Sequence, residues 1–280
     1  ENAMAQATDI NAGNTFETFT SGSANDAAIA AGFDSDANAG PYRIFIDIND
    51  TNDTTAEFTN DTAGQEFRIY ILDNGIINPD NTLTLTGDAT VDGAGASLQI
   101  YVGDQSADDS TLIIKGDVVE RNGGQALIGL ASDPGVSTAT LVFDADGRIN
   151  QVVDAIILSA FDNDDDVSVI IANSNGGTAG TTTFTDAITL RTGDFITVGG
   201  ASAQATTAIF QANVTAPGGL NVNSANDVAT LNGNTNAISG NISGAGTLFV
   251  GDGGGDTLNI GANGTASTVS IANLDGGAGP

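Results

Sequence analysis

Four aspartates crowd the stretch FDNDDDVSV: Asp162, Asp164, Asp165 and Asp166. Carboxylates this close repel one another unless water or a cation separates them. The stretch is therefore either a solvated loop tip or a calcium site that bridges this loop to another loop or subunit. A second candidate lies in GTLFVGDGGGDTLNIGANG. Calcium-binding nonapeptides of parallel β-helices follow the form G-G-x-G-x-D-x-U-x. Residues 251–259 supply Gly251, Gly254, Asp256 and Leu258 in that register, with Asp252 in place of the second glycine. Glycines there free backbone carbonyls to point at an ion, and an aspartate from each of two adjacent coils completes the oxygen shell. The following stretch, IGANGTAST, contains no aspartate. One repeat stands without the neighbour a shared site needs, so a plain corner between strands is the expected role, with Asp252 and Asp256 as the calcium ligands otherwise.

Other chemistries fit less well. FDADGRINQVVD has the Asp144, Asp146 and Gly147 of a calcium loop, but Arg148 and Ile149 stand where an EF-hand needs an oxygen ligand and then glycine. A turn is expected there. The chain has no cysteine and no histidine, which removes disulfides, the usual zinc sites and Ser-His-Asp triads. Two-carboxylate sugar hydrolysis requires only an acidic pair about 5–10 Å apart, and 35 acidic residues place some pair at any chosen distance. A substrate groove also needs aromatics and cations. The chain has no tryptophan, 3 tyrosines and scattered arginines, so no enzyme activity is expected.

Charge narrows the partners. The formal net charge is -29, from 35 acidic against 6 basic residues, of which Lys115 is the only lysine. So few cations cannot neutralise a row of phosphates, which argues against nucleic acid and against an anionic lipid surface. No stretch is long and apolar enough for a membrane-spanning helix, so direct membrane insertion is not expected. The first residues, ENAMAQATD, lack the basic and apolar regions of a signal peptide and are read as a mature end left after processing. Most of the carboxylates are aspartate, which favours turns and caps.

The elements that must carry these residues are strands. PYRIFIDIND alternates with period two, Tyr42, Ile44, Ile46 and Ile48 facing one way and Arg43, Phe45 and Asp47 the other. EFRIYILDNG behaves alike and ends in a turn signal. Residues 1–80 are expected to form an N-terminal arm and β-rich cap, with the first twenty residues as an arm able to add a strand to a neighbour. From residue 81 to 280 apolar strand centres recur near Leu85, Ile100, Ile113, Leu127, Val142, Ile157 and Val169, and Gly-Asp often follows a strand. Short strands at short intervals fit a parallel β-helix, with tandem antiparallel β-sandwich domains as the alternative. Irregular spacing of tight reversal dipeptides, and abundant Ala, Gly, Asn and Thr for corners, favour the all-β parallel solenoid.

The stretch VATLNGNTNAISGNISGAGTLFVGDGGGDTLNIGANGTASTVSIANLDGG resembles passenger segments of bacterial autotransporters and related surface-layer proteins, including the rickettsial outer-membrane protein B type. The likeness is best over residues 205–275, fainter over 81–204 and absent from 1–80. It implies a solenoid exposed outside the cell. The expected function is an extracellular structural subunit of a bacterial surface layer, matrix or filament that associates with itself, with calcium screening or bridging the subunits. An adhesin that binds cell-surface polysaccharide is the alternative.

Overall fold

The computed structural model of the chain describes residues 8–9, 17–20, 29–30, 32–35, 41–47, 53–72, 80–103, 109–131, 138–159, 167–175, 177–200, 204–251, 256–261 and 267–276. Over these the chain winds into an all-β parallel solenoid. Its first rungs are β1 (Thr8–Asp9) and β2 (Glu17–Thr20), then β3 (Phe33–Ser35) and β4 (Pro41–Asp47). Coils of three strands follow: β5 (Asp53–Thr55), β6 (Phe58–Asn60) and β7 (Glu66–Leu72), then β8 (Asp80–Leu85), β9 (Ala89–Asp92) and β10 (Ser97–Val102). Next come β11 (Asp109–Ile114), β12 (Val118–Arg121) and β13 (Gln125–Leu130), then β14 (Ala139–Asp144), β15 (Ile149–Val152) and β16 (Ala155–Ser159). The same order repeats in β17 (Val167–Ala172), β18 (Gly180–Phe184) and β19 (Ile188–Thr189), and in β20 (Phe195–Val198), β21 (Thr206–Phe210) and β22 (Val214–Thr215). After β23 (Gly219–Val222), β24 (Val228–Leu231) and β25 (Thr235–Ile238), the long β26 (Asn241–Val250) fills the first two positions of a coil and is followed by β27 (Thr257–Ile260) and β28 (Val269–Asp275).

First and second strands stack into one sheet of 18 strands, and third strands into another of 10. Each strand pairs in parallel with its equivalent one coil away, as β10 does with β7 and β13. The antiparallel hairpins a sandwich requires are not the pairings found among the described residues. The ladders cross residue 80 with unchanged partners, since β7 pairs with β10 and β6 with β9. Thr8–Asp9 and Glu17–Thr20, within the stretch expected to form an N-terminal arm, pair with β3 and β4.

Stacking explains the composition. Period-two alternation turns every second side chain inward, and register then places like on like. In the third-strand sheet Ile44, Ile69, Ile100, Ile128, Ile157 and Ile188 form one continuous column, and all of them are buried. In the first-strand position Leu83, Leu112, Leu141, Val169, Ile196, Leu220 and Ile242 do the same. Each such side chain contributes about 1.5–3 kcal/mol when fully buried, without any wide core. The second-strand column carries the large rings: Phe184 stacks on Phe210 at 5.1 Å between centroids and meets Phe143 edge-on at 5.0 Å. The coil measures 29 residues between Asp109 and Thr138, 22 between Asn213 and Thr235, and 27 between Asn241 and Thr268. Among the described residues no helix is long and apolar enough to cross a membrane.

Corners are set by glycine and aspartate. A side chain at Gly116 would collide with the carbonyl of Gly87 one coil below, so the first corner packs backbone on backbone. The neighbouring Asp88 accepts a 2.9 Å bond at Oδ1 from the amide of Asp117, and Asp117 Oδ1 accepts one of 2.8 Å from Gln151.

Because each coil touches only its neighbours, damage should stay local. Replacing Ile128 with alanine is expected to cost about 2–5 kcal/mol and to strip hydrogen-exchange protection from β10, β13 and β16, leaving β23 to β25 protected. Uniform loss of protection along the whole chain would contradict this quasi-one-dimensional account.

Candidate functional site

Of the residues expected to hold calcium, Asp162, Asp164, Asp165, Asp166 and Asp252 lie outside the described residues. Asp256 is described, immediately before β27 and half-buried. Among the described residues no group of three or more Asp, Glu, His or Cys side chains is arranged to hold a metal ion. The carboxylates that are described mostly serve the corners. Asp109 Oδ1 accepts the amide of Thr138 at 2.7 Å, and Asn213 and Asn241 do likewise for Thr235 and Thr268 at 3.0 Å. In each case an Asp or Asn on one coil satisfies a backbone N–H on the next, where the ladder is interrupted by a turn.

The FDADGR corner shows this at its strongest. Asp146 and Gly147 take left-handed backbone, with φ of 49° and 75°. Asp144, 4% exposed, accepts the amides of Asp146 at 3.1 Å and Ser174 at 2.8 Å. Lys115 Nζ, one coil below, lies 3.6 Å from Asp144 Oδ2 and 3.8 Å from Asp146 Oδ2. The expected turn is thus a closed ionic corner holding the only lysine. Burial works to raise the Asp144 carboxyl, but the Ser174 side-chain and backbone bonds, the Asp146 amide and the Lys115 charge outweigh it and hold the group below its ordinary value. Further along the axis, burial and then the charges of Asp154 and Asp186 push the Glu120 carboxyl up, which marks an acidic ridge where second strands turn into third strands. A polar recess of about 400 Å³ continues this ridge, lined by Asp186, Gln211, Asn213, Asn232 and Asn234.

The most distinctive surface is the outer face of the third-strand sheet. Arg43 and Arg68, scattered in the sequence, are register partners in β4 and β7. Two positions on, Phe45, Tyr70 and Tyr101 stack up the axis, with centroids 4.6 and 5.0 Å apart and planes within 6° and 15°. Arg68 Nε stands 2.6 Å from Glu66 Oε1 in a close ion pair. Tyr101 donates its hydroxyl hydrogen to Gln99 Oε1 at 2.9 Å. Above Tyr101 the rows turn aliphatic, with Leu127 and Gly129 in β13, then Ile156 and Leu158 in β16. Sequence reasoning takes the arginines as dispersed. The signal that would have gathered them is a tripeptide centred on the buried isoleucine column: Arg-Ile-Phe at 43–45, Arg-Ile-Tyr at 68–70, Gln-Ile-Tyr at 99–101, Leu-Ile-Gly at 127–129 and Ile-Ile-Leu at 156–158.

No family model matches this chain, and neither does any curated protein or solved structure.

The Asp144 corner yields a pH signature. A carboxyl held below its ordinary value stabilises the fold above that value, and the contribution disappears as pH falls through the lowered one. Asp144→Ala is expected to destabilise the β14–β17 coils by about 1–3 kcal/mol at neutral pH. The gap to the unsubstituted protein should close on acidification past the ordinary carboxylate range, as followed by urea unfolding or local hydrogen exchange. A gap independent of pH would show that Asp144 acts only by packing.

Proposed function

We propose that this chain is an extracellular structural protein, a subunit of a bacterial surface layer, matrix or filament that associates with itself. The observation that carries this reading is the continuous parallel stack from β2 to β27, whose backbone ladders run along one axis and suit a stiff building element. The chain's resemblance to passenger and surface-layer segments points the same way, as does an acidic exterior that keeps a stiff rod soluble. Secretion to the cell surface follows from the same reading. Calcium at the Asp162–Asp166 stretch, and at Asp252 and Asp256, would screen or bridge neighbouring subunits.

An adhesive role toward cell-surface polysaccharide is the second reading, favoured by the exposed Arg43 and the half-buried rings of Phe45, Tyr70 and Tyr101 on one face.

Negative-stain imaging and sedimentation of the purified chain, with calcium and with a chelator, test the first reading. Filaments or sheets are expected with calcium, and chelation should disperse them and lower the melting temperature. Monodisperse single particles at every concentration would overturn self-association, and assemblies indifferent to chelator would overturn the calcium role alone.

A further inference from the structure

We propose that the outer face of the third-strand sheet, from β4 to β16, is a self-complementary interface on which two copies of this chain pack with their solenoid axes antiparallel. This rests on the self-association reading and names the surface and partner that it requires. The face has two unlike halves. Toward β4 it presents one exposed cation and rings, namely Arg43, Phe45 and Tyr70. Toward β16 it presents Ile156, 43% exposed, Leu158, and the exposed Asp154 at the adjoining corner. Between them, Gln99 and Tyr101 of β10 mark the middle rung.

A two-fold axis lying along the strand direction at β10 brings β4 of one copy onto β16 of the other, β7 onto β13, and β10 onto itself. In a two-fold interface each unlike contact is made twice. Arg43 then lies over Ile156 and beside Asp154 of the second copy. Phe45 meets aliphatic side chains, and Tyr70 faces the space that Gly129 leaves. Charge complementarity selects this arrangement. Two chains of net charge -29 repel in most orientations, whereas here the exposed Arg43 of each copy lies beside the exposed Asp154 of the other. Tyrosine and arginine are also among the side chains that dominate protein–protein binding energy.

A polysaccharide suits the face less well. Sugars pack on ring faces, but Tyr70 has both of its faces covered by Phe45 and Tyr101, so the rings offer mainly edges. Five rungs about 4.8 Å apart and strands about 20 Å long give roughly 400–500 Å² of flat face. That is below the 800 Å² or so per partner of a standard interface, so the pairing is weak and depends on concentration.

Sedimentation equilibrium over a wide concentration range, with circular dichroism to verify folding, tests this on the full chain. Ile156→Arg places a cation against Arg43 of the second copy and should weaken the dimer at least about tenfold. Ile156→Glu should leave it intact, and Arg43→Glu combined with Ile156→Arg should restore it. The chain has no cysteine, so Gln99→Cys on the axis should be captured as a dimer by a short bismaleimide matched to the roughly 10 Å between packed sheets. Thr111→Cys, on the outer face of β11, should not. A dimer unaffected by Ile156→Arg overturns this interface and leaves self-association standing. A chain that remains monomeric throughout overturns self-association, and the interface with it.

Discussion

A single coil of this protein cannot bury its own apolar residues. Three strands around an axis leave the inward side chains open above and below, and each backbone edge unpaired, until the next coil is laid on. Register does the rest. Because Ile100 sits on Ile69 and under Ile128, the inward positions of all rungs form closed columns, and no residue needs to reach across a wide core. That is how a chain with 40% hydrophobic residues but only 5% aromatics encloses its interior. It also requires every outward side chain to stand on the equivalent one a coil below. The ring ladder, the paired arginines and the acidic ridge are consequences of that stacking.

The net charge of -29 acquires a structural meaning at the corners. A ladder interrupted by a turn leaves N–H groups without partners, and a buried N–H without one is costly. Short carboxylates and carboxamides at Asp88, Asp109, Asp117, Asn213 and Asn241 accept these amides from the next coil. Aspartate and asparagine thus join coils as well as solvate them. Lys115 is committed to Asp144 and Asp146 and Arg68 to Glu66, whereas Arg43, Arg121, Arg148 and Arg191 are exposed.

The strands and their parallel stacking were legible in the sequence because the inward alternation is strong in the first and third strands of each coil. The expected centres at Leu85, Ile113 and Val142 belong to first strands, and those at Ile100, Leu127 and Ile157 to third strands. The spacing read from them is about half a coil. The second strands went unseen. Ala89–Asp92, Val118–Arg121 and Ile149–Val152 are four residues long and too polar for period two to stand out. The outer face was missed for a different reason: residues that stack across a coil are distant in sequence, and counting arginines or tyrosines says nothing of register. The clustered aspartates drew notice by proximity along the chain, whereas Asp88, Asp109 and Asp117 act across coils, each on an amide of the next one.

Register between successive coils is therefore the claim on which all else depends, and the cysteine-free chain offers a direct measurement of it. Thr140 and Ser168 face outward on stacked rungs, with their hydroxyl oxygens 3.2 Å apart, and adjacent strands separate Cα atoms by about 4.8 Å, within disulfide range. Introducing cysteine at both positions and oxidising mildly should give rapid, near-complete intramolecular disulfide formation with an unchanged β-sheet spectrum. Two thiols that stay free under those conditions, while the chain remains folded, would contradict the parallel solenoid.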